Sequence, residues 1–269
     1  NNHRIGENNC FLVCNKKSKL VFLMWEEMMK IAIISDIHGN LLALNEVLKD
    51  IKDKNINQIY CLGDLVDFAP WSNEVISFFI KNKIPCLLGN HDERIALDLP
   101  LFPLLHHDDI ETKNRFEAIN HSKRTISLEH KEWLGNLPYQ LELVFKTGNS
   151  FKKILLVHAS LETNDQYVYE TDDKQKMYSY LKDKNIDALV MGHTHQSYIQ
   201  QVSNILFINS GSVGRSKEDD RKATYTILTL DEQKIEAEII KVDYPIEEVA
   251  SAIYSSDIPD FYGDFLLKK

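Results

Sequence analysis

Short apolar runs alternate with amphipathic segments along most of the chain, a pattern typical of strands and helices in βαβ order. KIAIIS (30–35) is almost continuously apolar, which predicts a buried strand. NLLALNEVLKDIK (40–52) carries its apolar residues at helical spacing, and Asn40 is suited to cap the helix that this spacing predicts. The pair therefore predicts the start of an α/β fold near residue 30.

Three later segments echo one another. KDKNINQIYCLGD (52–64) and KDKNIDALVMGH (182–193) are nearly the same, and KNKIPCLLGN (81–90) is a looser third copy. Each predicts a polar helix exit, a buried strand, a glycine and then a side chain able to bind metal. Every helix-to-strand joint of an α/β protein needs a polar turn and an apolar strand, so convergence explains KDKN itself. It does not explain the metal-capable residue after each glycine.

Further strands and a terminal helix follow from the same pattern. FKKILLVHAS (151–160) is predicted to be a strand ending in a histidine, and NILFINSGSVG (204–214) one ending in a glycine-rich turn. KATYTILTL (222–230) and KIEAEIIKV (234–242) alternate apolar residues on either side of DEQ, which predicts an antiparallel hairpin. PIEEVASAIYSSDIPDF predicts a short terminal helix with Pro245 at its start.

The middle of the chain, from about residue 95 to 142, shows no clear strand. It holds the helical pattern SLEHKEWLGNL, with Ser127 as the expected N-cap and Gly135 near the helix exit. We predict that this region is a helical cap inserted into the domain. No flexible linker or low-complexity segment divides the chain, so residues 28–269 are expected to form one domain.

Residues 1–27 are interpreted as an N-terminal extension of unknown origin. The segment does not begin with Met, its composition differs from that of the rest of the chain, and Met28 or Met29 is the expected natural start. Its apolar stretch, Leu20 to Trp25, is too short to span a membrane. Two glutamates come next, where a secretory signal would have small residues, so we expect no signal peptide.

Composition narrows the class of protein. The 269 residues are 43% hydrophobic, enough for a sizeable core. A net charge of -9 disfavours extended contact with nucleic acid or an anionic membrane, so neither is expected as a partner. Four cysteines are too few for a disulfide framework, and Cys61 and Cys86 lie in apolar runs that predict buried strands. Cys10 and Cys14 form a C-x3-C pair, but no second pair is present to complete a zinc site. A cytoplasmic location is expected.

Polar residues capable of chemistry gather at the ends of the predicted strands. HxH alone, as in His193 and His195, could be two polar side chains on a wet strand face. Five segments, however, deliver such residues to one sheet edge, where open α/β sheets bind their ligands. The mixture of carboxylate and imidazole suits two divalent first-row ions, with manganese favoured and iron, zinc or nickel as alternatives. The residues are Asp36, His38, Asp64, Asp67, Asn90, His91, Asp92, His158, His193 and His195.

In chain order, D-x-H-G-N, G-D-x-x-D, G-N-H-D, a lone strand-end His and G-H-T-H resemble the calcineurin-like metallophosphoesterase superfamily. Similarity to its bacterial phosphoesterase branch extends over nearly all of 29–269. The resemblance implies an α/β fold, a four-layer α/β/β/α sandwich of two mixed β-sheets flanked by helices. It implies that Asp64 bridges two metals. The first metal is held by Asp36, His38, Asp64 and His195, and the second by Asp64, Asn90, His158 and His193.

The resemblance also implies roles for neighbouring residues. His91 stays free of metal and donates a proton to the leaving oxygen while a metal-bridging hydroxide attacks phosphorus in line. Asp92 is expected to orient His91, and Asp67 to support a metal ligand. Arg94 and Arg215 are candidates for binding the substrate phosphate, although either is more often a solvated surface charge. The polar residues of the cap are interpreted as surface residues: His106, His107, His121 and Lys123.

The predicted function is that of a metal-dependent hydrolase acting on a small phosphodiester or phosphomonoester. A diester is preferred because His91 can assist a poor leaving group. One alternative is a nucleotide or dinucleoside polyphosphate hydrolase. Another is a non-catalytic, protein-binding scaffold of the same fold, which the intact ligands and His91 disfavour. The second block lacks an Arg-Gly pair and the third ends in Asp rather than Glu, which argues against a serine/threonine protein phosphatase and, less strongly, against the related diadenosine tetraphosphatases.

Overall fold

A computed structural model describes residues 11–15, 18–25, 28–104 and 107–268. The strands are β1 (Phe11–Asn15), β2 (Ser18–Trp25), β3 (Met28–Ile34), β4 (Ile59–Cys61), β5 (Gln140–Thr147), β6 (Ser150–Val157), β7 (Ala188–Met191), β8 (Tyr198–Val202), β9 (Ile205–Asn209), β10 (Ala223–Asp231) and β11 (Ile235–Val242). The helices are α1 (Leu41–Asp53), α2 (Ser72–Asn82), α3 (Asn90–Ala96), α4 (Asp109–Thr125), α5 (Leu128–Gly135), α6 (Gln175–Asp183), α7 (Ile246–Tyr254) and α8 (Phe261–Leu267). Within these ranges no helix combines the length and apolar character needed to cross a bilayer.

The strands form two mixed sheets. The larger has seven strands in the order β1-β2-β5-β6-β7-β9-β8, and the smaller has four in the order β11-β10-β3-β4. Parallel pairs such as β3 with β4 and β6 with β7 occur beside antiparallel pairs such as β10 with β11. Helices flank the two sheets, which confirms the fold implied by the resemblance.

The apolar run of β3, from Ile31 to Ile34, is explained by burial on both faces of the strand. Ile31 and Ile33 pack in the core between the two sheets, together with Leu143 of the larger sheet. Ala32 and Ile34 point the other way and pack in the core that contains α1. Because alternate side chains of a strand face opposite sides, burial on both sides leaves no polar position. Each fully buried isoleucine contributes about 1.5 to 3 kcal/mol from burial.

Local signals in the sequence place several elements correctly. The Asn40 side chain caps α1 by accepting a hydrogen bond from the Ala43 amide at 3.0 Å. Ser127 caps α5 by accepting one from the His130 amide at 3.2 Å. The hairpin of β10 and β11 also forms, with Leu230 paired to Ile235. These capping bonds satisfy amides that the first helical turn leaves without a partner.

Other elements differ from the prediction. The strandless middle region ends earlier than residue 142, because β5 begins at Gln140 and pairs along its length with β6. Strand β8, which forms a hairpin with β9, has no counterpart in the prediction. The third echo does not form a full strand: it makes an isolated bridge between Cys61 and Cys86, next to Pro85, which has no amide hydrogen to donate. The predicted terminal helix forms as α7, with Pro245 at its N-cap, and a further helix that was not predicted, α8, follows it.

The described part of the predicted N-terminal extension adds two strands to the larger sheet. Strands β1 and β2 are antiparallel, and β2 runs parallel to β5. Whether residues 1–27 are a true extension stays a prediction. The predictions that concern Cys10 and His106 lie outside the described residues.

Candidate metal centre

Strand ends from both sheets bring the predicted ligands into one buried place. Each has less than a tenth of its surface exposed. They fall into two groups, and within each group one ligand atom per residue lies within 4.8 Å of the others. Asn90, at the start of α3, lies beside the second group, with its Oδ1 3.0 Å from His158 Nε2. The first group is Asp36, His38 and His195, and the second is Asp64, His158 and His193.

Hydrogen bonds to backbone carbonyls fix the tautomers of three histidines. In each, Nδ1 faces a carbonyl oxygen, which can only accept, so Nδ1 carries the proton. Nε2 of each ring then points into the cluster, where it can bind a metal once it carries no proton. The three contacts are His38 Nδ1 to Val66 (2.8 Å), His158 Nδ1 to Leu62 (3.0 Å) and His195 Nδ1 to Arg215 (2.7 Å).

His193 is turned the other way. Its Nε2 donates to the Asp165 carbonyl at 3.0 Å, which leaves Nδ1 to face Asn90 Oδ1 at 3.0 Å. In the first group, Nε2 of His38 and Nε2 of His195 are 3.1 Å apart. Since both rings carry their proton on Nδ1, two lone pairs face each other at that distance. A cation between them would turn this repulsion into attraction.

Two carboxylate oxygens in the cluster have no hydrogen-bond donor, Asp36 Oδ1 and Asp64 Oδ2. Asp36 Oδ1 lies 3.1 Å from His195 Nε2, which has no proton to give. Asp64 Oδ2 lies 3.7 Å from His38 Nε2 and 3.4 Å from His158 Nε2, so it reaches both groups. Burying such oxygens without a partner is costly, and divalent ions would satisfy them. The residues therefore fit two metals, with Asp64 at the position of a bridge.

The electrostatics of the cluster agree with this interpretation. Burial alone would raise the pKa of Asp36 and of Asp64, but the neighbouring imidazoles outweigh burial and lower both. Burial would lower the pKa of His158, yet the charges of Asp64 and Asp36 raise it to about 10. Burial lowers the pKa of His38 and of His193 to about 3. Asp36 and Asp64 thus stay negatively charged although they are buried. A divalent ion that binds there would have to displace the proton of His158.

The ligand residues hold an unusual backbone conformation. Five of them have φ between 49° and 66°, in the left-handed region that residues with a side chain seldom adopt. Such positions cost on the order of 1 kcal/mol or more each, and persist where the surrounding structure imposes them. The strained residues are therefore candidate metal ligands themselves. The five are Asp36, His38, Asp64, His193 and His195.

Two glycines allow the ligand turns to approach one another. A Cβ at Gly192 would lie 2.1 Å from Ser35 Oγ and 2.5 Å from Asp36 Oδ2. A Cβ at Gly89 would lie 2.2 Å from both the backbone nitrogen and Oδ1 of Asp64. Real Cβ atoms do not come so close to other atoms. The glycine that precedes a metal-capable residue in these echoes is therefore required by the convergence of the turns.

His91 contacts Asp67 rather than Asp92. His91 Nδ1 lies 2.6 Å from Asp67 Oδ2. Asp92 instead accepts hydrogen bonds from the amides of Leu65 at 2.8 Å and Gly89 at 3.1 Å. The prediction that Asp92 orients His91 is wrong, because the carboxylate of this third helical residue turns back to cap α3. Asp67, expected to support a metal ligand, holds His91.

Burial governs the protonation of this pair. It raises the pKa of Asp67 to about 7. Burial, with the positive charge of Arg94, lowers the pKa of His91 well below its usual value. The pair therefore holds one shared proton near neutral pH, which either Asp67 or His91 can carry across the 2.6 Å contact.

A cavity of about 340 Å³ opens beside the cluster, and both predicted phosphate-binding arginines, Arg94 and Arg215, line it. Both are partly buried, so neither is a fully solvated surface charge. Arg115 of α4 and Lys217 line the same cavity and were missed. Lys217 could have been found from its place two residues after Arg215, whereas nothing in the sequence marks Arg115.

Residues of the cap divide into two kinds. His107, predicted to be a surface residue, lines the cavity, which corrects that prediction. Lys123 donates to the Leu99 carbonyl and lies 2.7 Å from Asp98, away from the cavity lining. His121 is not among the residues that line the cavity. The cap therefore lines the site with residues of α4 and of the segment that precedes α4.

Residues 29–233 match the family model of the calcineurin-like phosphoesterase superfamily domain. The chain belongs to this superfamily, as the spacing of its strand-end residues indicated, and it is a hydrolase that acts on phosphoester bonds. The family is metal-dependent, in agreement with the two candidate clusters.

Individual relatives agree with this assignment. An uncharacterized protein of Methanocaldococcus jannaschii is 30% identical over 254 residues, which cover 88% of this chain and 96% of the relative. A symmetrical bis(5'-nucleosyl)-tetraphosphatase of Nitrosococcus oceani is 33% identical over 141 residues, 49% of this chain and 44% of the relative. The crystal structure of a metallophosphoesterase from Sphaerobacter thermophilus shares the fold, with a TM-score of 0.67 and 24% identity over 89% of this chain and 98% of that one.

Proposed function

We propose that the protein is a two-metal phosphoesterase that hydrolyses a small phosphodiester, with manganese as the favoured ion. The observation that carries the proposal is the set of inward-facing ligand atoms without hydrogen donors, which includes Asp64 Oδ2 within reach of both groups. When bound, two ions would polarise a phosphoryl oxygen and lower the pKa of water. A small phosphate ester is the proposed partner.

His91 is the proposed general acid. Its Nδ1 is held by Asp67, which leaves Nε2 for the substrate in the cavity. The His91 amide donates to Asp64 Oδ1 at 2.8 Å, so the turn that carries the acid is fixed to the residue proposed as the bridge. A group held in this way can protonate a departing oxygen, a step that contributes roughly 10² to 10⁴ in rate. This is why a diester with a poor leaving group is the preferred substrate.

Arg94 and Arg215 are proposed to bind the non-bridging phosphate oxygens. A guanidinium matches two phosphate oxygens at once, and it stays charged in a partly buried site. Arg94 Nη1 and Arg215 Nε have no hydrogen-bond partner among the described residues. Both groups can therefore donate to a ligand without breaking an existing bond.

A nucleotide or dinucleoside polyphosphate hydrolase is a second candidate. It is favoured by the similarity of half the chain to the Nitrosococcus oceani tetraphosphatase. The scaffold alternative has less support, because the described metal ligands and His91 are all in place. The described cysteines Cys61 and Cys86 are free and buried, as the proposed cytoplasmic location requires.

The test combines metal analysis with two chromogenic esters. Protein loaded with Mn²⁺ should hold about two ions per chain and hydrolyse bis(p-nitrophenyl) phosphate faster than p-nitrophenyl phosphate. His91→Ala should lower kcat by roughly 10² or more for a diester with an alkyl leaving group, which needs protonation, and by less for the chromogenic diester. His130→Ala, a histidine of α5 that does not line the cavity, is the matched control and should keep the wild-type rate. Two bound ions with turnover no faster than His91→Ala would overturn the proposal.

A further inference from the structure

The cavity beside the candidate metal centre is lined by four cations. Arg94 lies on α3, Arg115 on α4, and Arg215 and Lys217 in the segment between β9 and β10. Among the described residues, no carboxylate oxygen lies within 4.0 Å of the charged group of any of the four. Buried and partly buried cations that gather without a direct ion pair repel one another, and an anion placed among them would relieve this repulsion.

The two carboxylates on the wall, apart from Asp64, are committed elsewhere. Glu111 accepts a hydrogen bond from the Asp108 amide, as part of the cap of α4. Asp165 accepts one from the Thr163 hydroxyl at 2.9 Å. The guanidinium of Arg115, which is only 6% exposed, donates to the Phe102 carbonyl, a neutral acceptor that does not cancel its charge. The carboxylates of Glu111 and Asp165 likewise keep their charge, but with Asp64 they number three against four cations, so the wall keeps a net positive charge for a ligand.

Aromatic rings contact two of these cations, Arg215 and Lys217, and hold them in place without neutralising their charge. The Arg215 guanidinium carbon lies 4.6 Å from the centre of the Phe68 ring and 4.4 Å from that of Phe265. Lys217 Nζ lies 5.4 Å from the centre of the Tyr167 ring. Such contacts fix the direction of a cation while leaving its hydrogen-bond donors free. The wall is thus organised before any anion arrives.

The amount of charge exceeds what one phosphate needs. A phosphate monoester carries about -1.5 to -2 at neutral pH, and a diester carries less. The residues of the metal centre are already suited to two divalent ions, which would match that charge beside the reacting phosphate. Arg94 and Arg215 are proposed to bind that same phosphate, and two further cations on the wall remain, Arg115 and Lys217. The volume of about 340 Å³ is within the range of small-ligand sites and exceeds the needs of a single phosphate group.

We propose that Arg115 and Lys217 bind a second phosphate of the substrate, so that the substrate class is a phosphate ester that carries at least one further phosphate group. This inference rests on the proposed function, because it assigns the reacting phosphate to the metal centre. It makes Arg115 and Lys217 specificity-determining residues.

Binding of matched ligand pairs tests the inference. Isothermal titration of the Mn²⁺-loaded protein would compare adenosine 5'-monophosphate with adenosine 3',5'-bisphosphate, and fructose 6-phosphate with fructose 1,6-bisphosphate. Phosphate released during each titration is measured in the same samples. In both pairs the bisphosphate should bind at least about tenfold more tightly, as expected for added charge-assisted hydrogen bonds. Since each pair shares its base or sugar, the difference reports the second phosphate alone.

Variants assign the effect to the wall. Arg115→Gln and Lys217→Gln should each reduce the preference for the bisphosphate by about fivefold or more. Arg124→Gln, an exposed arginine on the same helix as Arg115, should leave the preference unchanged. Circular dichroism and thermal melting establish that each variant is folded. If Arg115→Gln does not fold, Lys217→Gln and the comparison of ligand pairs on the wild type still decide the question.

The outcomes separate this inference from the proposed function. Equal affinities within about twofold for both pairs would overturn the inference, as would a preference that survives in folded Arg115→Gln and Lys217→Gln. If the chromogenic esters are hydrolysed while the bisphosphates show no preference, the inference alone fails. If the preference is present and depends on the two residues while no ester is hydrolysed, the inference stands and the proposed function fails.

Discussion

At the residue scale, the structure shows which carboxylate contacts His91, the proposed general acid: it is Asp67. Asp67 and Asp92 both lie in the blocks that carry the site, and both are completely buried. In the sequence, Asp92 is the nearer neighbour of His91, yet the loop after β4 brings Asp67 to within 2.6 Å of its ring. The candidate ligand set was predictable because the resemblance to the family assigns it position by position to the blocks of the sequence. This contact was not, because it depends on how two separate turns are placed.

Asp67→Asn should weaken proton donation by His91 without removing the metal ligands. The amide keeps the size of the side chain but alters its hydrogen bond to Nδ1. We expect kcat to fall by roughly tenfold to a hundredfold for an ester with a poor leaving group. The loss should be smaller for a p-nitrophenyl ester, whose leaving group needs less protonation. Equal losses for both esters, at unchanged metal content, would contradict the orienting role.

Gly192→Ala should damage both the metal site and the stability, because the added Cβ would overlap Ser35 Oγ and Asp36 Oδ2. We expect a loss of bound manganese and a destabilisation of roughly 1 to 3 kcal/mol. Metal analysis and urea unfolding provide the measurement. Gly135→Ala is the control, since a Cβ there would meet only Ala96 Cβ, at 3.7 Å, and Gly135 is helical. Wild-type metal content in Gly192→Ala would refute the steric argument.

At the scale of elements, strands and helices with strong periodicity or a capping residue were predictable. Strand β3, helix α1 and the β10–β11 hairpin are of this kind. Strand β5 was included in the cap, because Gln140, Glu142 and Lys146 make it amphipathic and it directly follows a helical region. Strand β8 is short and contains two adjacent glutamines. Both strands owe their existence to pairing with β6 and β9, which a local pattern does not reveal.

Asn40→Ala should cost more than the loss of an ordinary helix cap. The Asn40 side chain accepts from Ala43 at the start of α1 and also donates to the Gly214 carbonyl at 3.0 Å. We expect a destabilisation of about 2 to 3 kcal/mol, the sum of a cap and a buried hydrogen bond. Ser127→Ala, which removes only the cap of α5, should cost about 1 kcal/mol. Equal losses in urea unfolding would show that the bond to Gly214 adds nothing.

At the scale of the whole molecule, the candidate metal centre joins the two sheets. Asp36 and Asp64 follow strands of the smaller sheet, and His158 and His193 follow strands of the larger one. An ion shared by both groups would therefore connect the two halves of the sandwich. The resemblance predicted this arrangement of layers. It did not predict the cations of the cavity wall, because they come from α4 and from the Arg215 segment, which are distant in the sequence and meet only in the folded chain.

Removing the ions should lower the stability of the whole domain. A ligand that binds only the folded state at a hundredfold excess over its Kd adds about 2.7 kcal/mol. For a chain of this size, that corresponds to a loss of roughly 5 to 10 °C in Tm on treatment with a chelator. Mn²⁺ should restore the Tm more fully than Mg²⁺, because imidazole ligands disfavour magnesium. An unchanged Tm after verified metal removal would speak against ions that connect the sheets.

The left-handed backbone of the five ligand residues has an evolutionary consequence. Glycine adopts that conformation at little cost, and asparagine more readily than most residues. A descendant that no longer needed to hydrolyse esters could therefore gain folding stability by exchanging these aspartates and histidines, and it would become a binding scaffold along a thermodynamically downhill path. In this chain the five positions still carry Asp and His, at φ between 49° and 66°. These side chains carry the donor atoms of the candidate metal centre at a cost in backbone strain.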